Sequence, residues 1–406
     1  AISTTPLCGP SRATIMTGRY AHNHGVRNNI DPIGGYGVYR DSGAESDSLP
    51  VWLKAAGYQT AYLGKYTNGY GSGWTAKPPG WDQWIAFTEP QAYTNFTYNE
   101  NGKDTASTNG EYQTDFLTTR ALDYLKSTEQ KDDQPFFLMV APYAPHNVAK
   151  FASRHASMFT SVGAPRTPAF NEDDVSDKPK HIRRIAQFTA AQITNIDNEY
   201  RNSLRSLQAV DEMIEKIVQA LEAQGELGQT AILFLSDNGA STGAHRFNDK
   251  LAPYAESLDI PLFIRTPSGA KGVVRPHLVA NIDIPATILE LAGAPARDSL
   301  EGRSLVPLLG NSPPAQNSWR TDLLVEYWDI SNPDTTFMPT YQGVRLEDGT
   351  NSMLYVQHIT REEEFYDFRT DPFQLNNTVN STPTFVSRLN ERLKVLAACR
   401  GASCRQ

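Results

Sequence analysis

Apolar residues along this chain fall into two rhythms. Short dense runs occur at 58–63 (YQTAYL), 135–141 (PFFLMVA), 230–236 (TAILFLS) and 261–266 (PLFIRT). Apolar runs of that length predict strands. PFFLMVA and TAILFLS show no polar alternation, as in strands buried on both faces. The second rhythm has a spacing of three and four, through Leu204, Leu207, Val210, Ile214, Ile217, Val218 and Leu221. It predicts one face of a long helix over 196–224, stopped near Gly225. DIPATILELAG at 283–293 reads as a shorter helix ending at Gly293. Strands alternating with helices predict an α/β fold.

The rhythm changes at a polar, proline-rich stretch, NSPPAQNS at 311–318, which predicts a boundary. LLVEYW, YQGVRLE, SMLYVQH and EEFYDF follow as short strand-like segments between turn residues. They predict an antiparallel meander, and LNERLKVLAAC reads as a closing helix. The chain therefore divides into a large α/β domain over 1–316 and a smaller α+β subdomain over 317–406.

Composition narrows the possibilities. A net charge of −8 over 406 residues argues against a general nucleic-acid binder. No apolar run approaches the ~18–20 residues of a membrane span, and no signal peptide is visible at the start. Two of the three cysteines, Cys399 and Cys404, stand in CRGASC near the end. Their spacing can close a small disulfide loop or leave two free thiols on a frayed tail. The loop leans towards an oxidising, extracytoplasmic compartment: secreted, periplasmic or lysosomal.

Unusual polar residues follow the predicted strands. YQTAYL is followed by Gly64-Lys65, PFFLMVA by PYAPH ending in His146, and TAILFLS by Asp237-Asn238-Gly239. Open α/β sheets bind ligands beyond the carboxyl ends of their strands. Each feature alone has an ordinary explanation: a solvated lysine, a structural histidine, an Asp-Asn-Gly turn. Together they would converge a cation, an imidazole and an oxygen pair on one crevice. The third cysteine adds a fourth participant, in PLCGPSRATIMTGR at 6–19. Pro10 suits the first turn of a helix and Gly18 its stop. Cys8 then sits at a helix N-terminus, where backbone N–H groups favour an anion, with Arg12 one turn further on.

These residues carry a resemblance. Cys8-Gly9-Pro10-Ser11-Arg12 with Thr17-Gly18-Arg19 resembles the signature of the type I, formylglycine-dependent sulfatases. GYQTAYLGKY, APYAPH, LFLSDNG and FYDFRTDPFQLNN are similar to further segments of that family. TPLCGPSRA, the HNH at 22–24 with NN at 28–29, GKYTNGYG and the tail LAACRGASCR most resemble its N-acetylglucosamine-6-sulfatase branch.

The resemblance implies an alkaline-phosphatase-like α/β/α sandwich and a sulfuric ester hydrolase acting on a sulfated carbohydrate, here a 6-O-sulfated N-acetylglucosamine. It implies that a formylglycine-generating enzyme converts Cys8 to formylglycine, whose hydrate attacks sulfur with help from Ca²⁺, or Mg²⁺. Residue by residue, it implies Cys8 as nucleophile and Arg12 as its countercharge. Lys65 and Lys250 hold sulfate oxygens, and His146 protonates the leaving oxygen or binds sulfate. Asp237 and Asn238 join Cys8 as hard-oxygen metal ligands. His245, His22, His24 and Asn68 are candidates for contacts to substrate, with structural roles as the alternative for the histidines.

Two departures stand out. Many sulfatases carry a histidine where Thr67 precedes Asn68. The family also places an Asp-Asp metal pair on a strand a few tens of residues before the cysteine, and only seven residues precede Cys8. The expectation is that this strand and its aspartates belong to sequence upstream of this chain. Two rivals remain: a formylglycine-dependent phosphonate or phosphate ester hydrolase, and a non-catalytic, sulfatase-like glycan-binding protein.

Overall fold

The computed structural model describes residues 1–405 apart from 72, 75, 130–132 and 334. Its larger sheet has five strands in the order β4-β3-β2-β1-β5. These are β1 (Gln59–Lys65), β2 (Gln83–Phe87), β3 (Thr97–Glu100), β4 (Lys103–Ala106) and β5 (Phe136–Ala141). β1 runs parallel to both β2 and β5, whereas β2, β3 and β4 pair antiparallel. The hairpin of β3 and β4 has no counterpart among the predicted strands. Its residues, TYNE and KDTA, are too polar to announce a strand.

The third and fourth predicted strands form, but outside this sheet. β6 (Ile232–Leu235) and β7 (Leu262–Arg265) pair antiparallel with each other as a separate two-stranded sheet. The prediction that PFFLMVA and TAILFLS are buried on both faces is corrected accordingly. β5 has one partner and lies at an edge, so all but Ala141 are half-buried. Phe234 of β6 is 36% exposed, and the other three residues of that strand are half-buried. Apolar content alone does not reveal how many neighbours a strand finds.

The long helix spans Ala190–Ala223, beginning six residues before the expected start. Thr189 and Gln192 explain this by closing a capping box: each side chain accepts from the other's backbone N–H. Such a cap is worth about 1 kcal/mol. The shorter predicted helix is Ile284–Leu291.

The C-terminal meander is observed as four antiparallel strands in the order β11-β10-β9-β8. They are β8 (Asp322–Tyr327), β9 (Tyr341–Glu347), β10 (Ser352–His358) and β11 (Glu363–Asp367), with the helix Pro383–Ala398 packed on them. A disulfide joins Cys399 and Cys404. One buried apolar cluster runs from Ile2, Leu7 and Tyr20 through Leu258 and Ile282 to Leu323, Val325 and Leu354. Among the described residues no helix is long and apolar enough to cross a membrane.

Candidate active site

The site begins with α1 (Cys8–Thr17), whose first residue is Cys8. Gly18 ends it in the left-handed conformation at φ 65°, returning its N–H to the Thr14 carbonyl. A side chain there would also strike Leu300, so only glycine suits the stop. The segment before α1 is pinned by backbone bonds from Ile2 to Val279 and from Ser3 to Leu258. Asn29 accepts a 2.7 Å bond from the Gly9 N–H, in the first turn.

Sheet register delivers the next residues. Gly64 of β1 lies opposite Ala141 of β5, at φ 123°, with the Ala141 carbonyl where a Cβ would stand. The close approach makes Lys65 and the 142–146 loop leave the sheet side by side. Lys65 Nζ lies 5.5 Å from the Tyr143 ring, and His146 stacks on the same ring at 4.7 Å and 17°. Past β6, Ser3 Oγ (2.9 Å) and Ser11 Oγ donate to the Asp237 carbonyl, fastening the Asp-Asn turn to α1.

Arg12 Nε donates to Asp237 Oδ2 at 2.8 Å, and its Nη1 to the Lys65 carbonyl at 2.6 Å. Lys250 Nζ donates to Cys8 Sγ at 2.8 Å. Cys8, Arg12, Lys65, His146 and Asp237 therefore converge, as the strand-end reading expects, and Lys250, which only the resemblance suggested, joins them. Cys8 is 2% exposed. Burial and Asp237 push its thiol up, but Lys65, a His146 hydrogen bond and Lys250 outweigh them and bring it down to about 6. Burial pulls the Lys65 ammonium down. Burial also opposes charge on Lys250, but Cys8 and Asp237 prevail and raise it. Asp237 is held at about 2: burial works against its charge and Arg12, Lys65 and Lys250 overcome it.

Asn238 donates its side-chain N–H to the Gly239 carbonyl at 2.8 Å, while its Oδ1 is buried without a partner among the described residues. A buried, unsatisfied carbonyl oxygen beside an ionised carboxylate fits a hard cation. The two residues supply part of a shell of six to eight oxygens. Among the described residues no group of three or more His, Cys, Asp or Glu stands ready to hold a metal.

The other candidates lie elsewhere. His22 bonds Glu326 through Nδ1 at 3.1 Å and the Cys399 carbonyl through Nε2 at 3.2 Å. Burial opposes its charge, but Glu326 raises its pKa overall. His24 is 2% exposed, contacts Thr14 Oγ1 at 3.1 Å and accepts from the Val26 N–H; burial lowers it to about 3. His245 is buried, with Nδ1 2.7 Å from Glu172 and its ring on Tyr254 at 4.2 Å. The structure uses these three histidines as internal contacts and does not bring them to Cys8. Asn68 follows Lys65 by three residues, with a buried Oδ1 that has no partner among the described residues and a backbone carbonyl that accepts from the Tyr36 N–H at 2.7 Å. Asn29 and Tyr143 are site residues that residue type does not single out. The adjacent Asn28-Asn29 and the PYAPH loop were their only signals.

Comparison with known proteins agrees with this geometry. The sulfatase family model matches residues 1–294, and the model of the N-sulphoglucosamine sulphohydrolase C-terminal region matches residues 243–398. The human N-acetylglucosamine-6-sulfatase is 34% identical over 439 residues, covering 98% of this chain and 78% of that protein. A solved structure, described as a complex with its substrate D-glucosamine-2-N,6-O-disulfate, is 25% identical with a TM-score of 0.82, over 97% of this chain and 88% of that one. The phosphonate monoester hydrolase of Agrobacterium radiobacter shares the fold at 20% identity and a TM-score of 0.73, over 98% of this chain and 87% of that one. A cysteine at a helix N-terminus among converging cations, together with these matches over nearly the whole chain, identifies the protein as a member of the sulfatase family, an enzyme that hydrolyses sulfate esters.

Proposed function

We propose that this sulfatase removes the 6-O-sulfate of an N-acetylglucosamine unit in a glycan or glycosaminoglycan, with formylglycine at position 8. The observation that carries the reading is the balance of charge around Cys8. Arg12, Lys65 and Lys250 gather around Asp237 and the residue-8 side chain, and Asp249 also acts on Lys250. With residue 8 as uncharged formylglycine, these three cations against Asp237 and Asp249 leave one positive charge, which suits a monoanionic sulfate ester. The sugar assignment is supported by the likeness to the human N-acetylglucosamine-6-sulfatase.

Formylglycine would supply an oxygen nucleophile that regenerates itself after sulfate transfer, and a divalent cation held by Asp237, Asn238 and residue 8 would supply positive charge beside it. The chain's own residues do the rest. Lys65 and Lys250 hold sulfate oxygens as compact charges. Arg12 keeps Asp237 ionised and oriented through its 2.8 Å bond. His146, stacked on Tyr143, delivers a proton to the departing sugar oxygen. Calcium is the reading for the cation, because its donors are oxygens. Conversion of Cys8 requires a formylglycine-generating enzyme, and the Cys399–Cys404 disulfide supports an extracytoplasmic location.

The test is hydrolysis of 6-O-sulfated N-acetylglucosamine beside 2-O- and 4-O-sulfated sugars and an aryl phosphonate ester. Turnover of the 6-O-sulfated sugar is expected to dominate. Turnover of the other sugars alone would overturn the substrate, and preference for the phosphonate would overturn the reaction. Mass spectrometry of the peptide around Cys8, from a host with the converting enzyme, is expected to show the aldehyde. An unmodified thiol there would favour the glycan-binding reading.

A further inference from the structure

Tyr143 joins two of the groups that surround Cys8. Its ring stacks on the His146 imidazole, with centroids 4.7 Å and planes 17° apart. The same ring lies 5.5 Å from Lys65 Nζ, inside the ~6 Å reach of a cation–π contact. Lys65 ends β1, whereas His146 follows β5. A ring shared between them fixes a separation that neither strand fixes alone.

Tyr143 can do this because it is held from behind. Its N–H donates to Gln113 Oε1 at 3.2 Å. Gln113 is 1% exposed, and its own N–H donates to the Tyr93 carbonyl at 2.8 Å. The Tyr93 ring packs on Tyr143 at 5.1 Å, and its hydroxyl donates to the His146 carbonyl at 2.7 Å. Tyr112 stacks on Tyr93 in turn, at 6.2 Å and 19°. Tyr112, Tyr93 and Tyr143 thus brace the 142–146 loop. His146 Nδ1 meets the Asn147 carbonyl at 2.5 Å, which leaves Nε2 as the nitrogen available to a reacting oxygen. Lys65 needs the ring for another reason. It is 3% exposed, and burial works against its charge. An aromatic face stabilises an ammonium there without adding a negative charge that would repel sulfate.

The geometry points to Tyr143 as a positioning residue for sulfate-ester cleavage. Its ring holds the Lys65 ammonium on the sulfate side and the His146 imidazole on the leaving-group side. The role of Tyr143 rests on the proposed duties of those two residues, sulfate binding and proton delivery. A sugar alkoxide needs a proton as it departs, whereas a nitrophenolate leaves without one. Loss of the ring should therefore harm the two kinds of ester unequally.

The test is steady-state kinetics of Tyr143→Leu on a nitrophenyl sulfate and on the sugar sulfate that the parent enzyme turns over fastest. The ratio of the two rates is independent of how much enzyme carries the aldehyde. A proton donor is worth roughly 10²–10⁴-fold and misplacement forfeits part of it, so kcat on the sugar sulfate is expected to fall about tenfold further than kcat on the aryl sulfate. Inhibition by inorganic sulfate, which reads Lys65 whatever the leaving group, should weaken about threefold. Tyr143→Phe keeps the ring and should match the parent in both. A role in packing alone would lower the two substrates together. His146→Ala is the reference. If its own loss is equal on both substrates, His146 is not the proton donor, and sulfate inhibition alone decides for or against Tyr143. If His146→Ala separates the substrates and Tyr143→Leu does not, or if sulfate inhibition is unchanged, the positioning role is overturned. Tyr143→Met gives the same readouts should the leucine protein fail to fold.

Discussion

The Cys8 centre and the Arg320–Asp283 pair both bury charge, but they treat it differently. Arg320 Nη1 donates to Asp283 Oδ1 at 2.9 Å, Nη2 bonds Oδ2, and Nη2 also reaches the Leu278 carbonyl. Asp283 further accepts from the Ala280 and Arg303 N–H groups at 2.9 and 2.8 Å. Charge is matched there within the chain. Around Cys8, among the described residues, Lys65 feels Asp237 only at a distance, without an ion pair, and Asn238 Oδ1 has no donor. Arg320 Nε is itself buried without a partner among the described residues, so the contrast lies in charge: charges matched within the chain serve as scaffold, whereas the unmatched ones await a ligand.

Four substitutions sharpen or break this contrast. The largest effect belongs to Cys8→Ala, expected to lower sulfate-ester turnover by about 10⁴-fold or more, as removal of a nucleophile does, with the urea midpoint near the parent's. Appreciable residual turnover would mean that another group attacks. Arg320→Ala comes next. It strands Asp283 in the core and should cost about 3–5 kcal/mol of stability in chemical denaturation. A loss under 1 kcal/mol would remove the scaffold half of the comparison.

Lys250→Gln should behave oppositely. Removing the donor to Cys8 Sγ is expected to reduce kcat/KM by about 10²–10³-fold with little change in unfolding. If it destabilises as much as Arg320→Ala, the two regions are not different in kind. The smallest effect is at Glu45, buried beside Tyr66, whose hydroxyl bonds it at 3.2 Å. Burial pushes this carboxyl up to about 7, against hydrogen bonds from Tyr66 and Tyr36. The folded state therefore binds the extra proton between its unfolded value near 4.5 and about 7. Stability is full below that window and is lost as pH rises through it. Glu45→Gln should flatten the decline by roughly 1–3 kcal/mol, read as urea midpoints at pH 5 and 8. An unchanged slope would show that Glu45 is ionised in the fold.

The Cys8 motif, the Lys65 strand end, the Pro-His loop and the Asp237-Asn238 pair were legible because each combines a local backbone signal with an uncommon polar residue. The histidines were not. His22, His24 and His245 look alike in sequence, and only their partners, Glu326, Thr14 and Glu172, assign them to the interior. Asn29 contributes one carbonyl to one N–H, a role that residue type does not announce.

By itself the sequence determined the elements and the reactive pattern, because strand length, helical spacing, caps and turn glycines are local properties. Tertiary structure alone decided which strands became neighbours, leaving β5 at an edge and β6 with β7 in a sheet of their own. It also decided which charges were left unpaired. Pairing across distant segments, such as Arg12 with Asp237 or Lys250 with Cys8, depends on how the whole chain closes, and no spacing along the sequence encodes it.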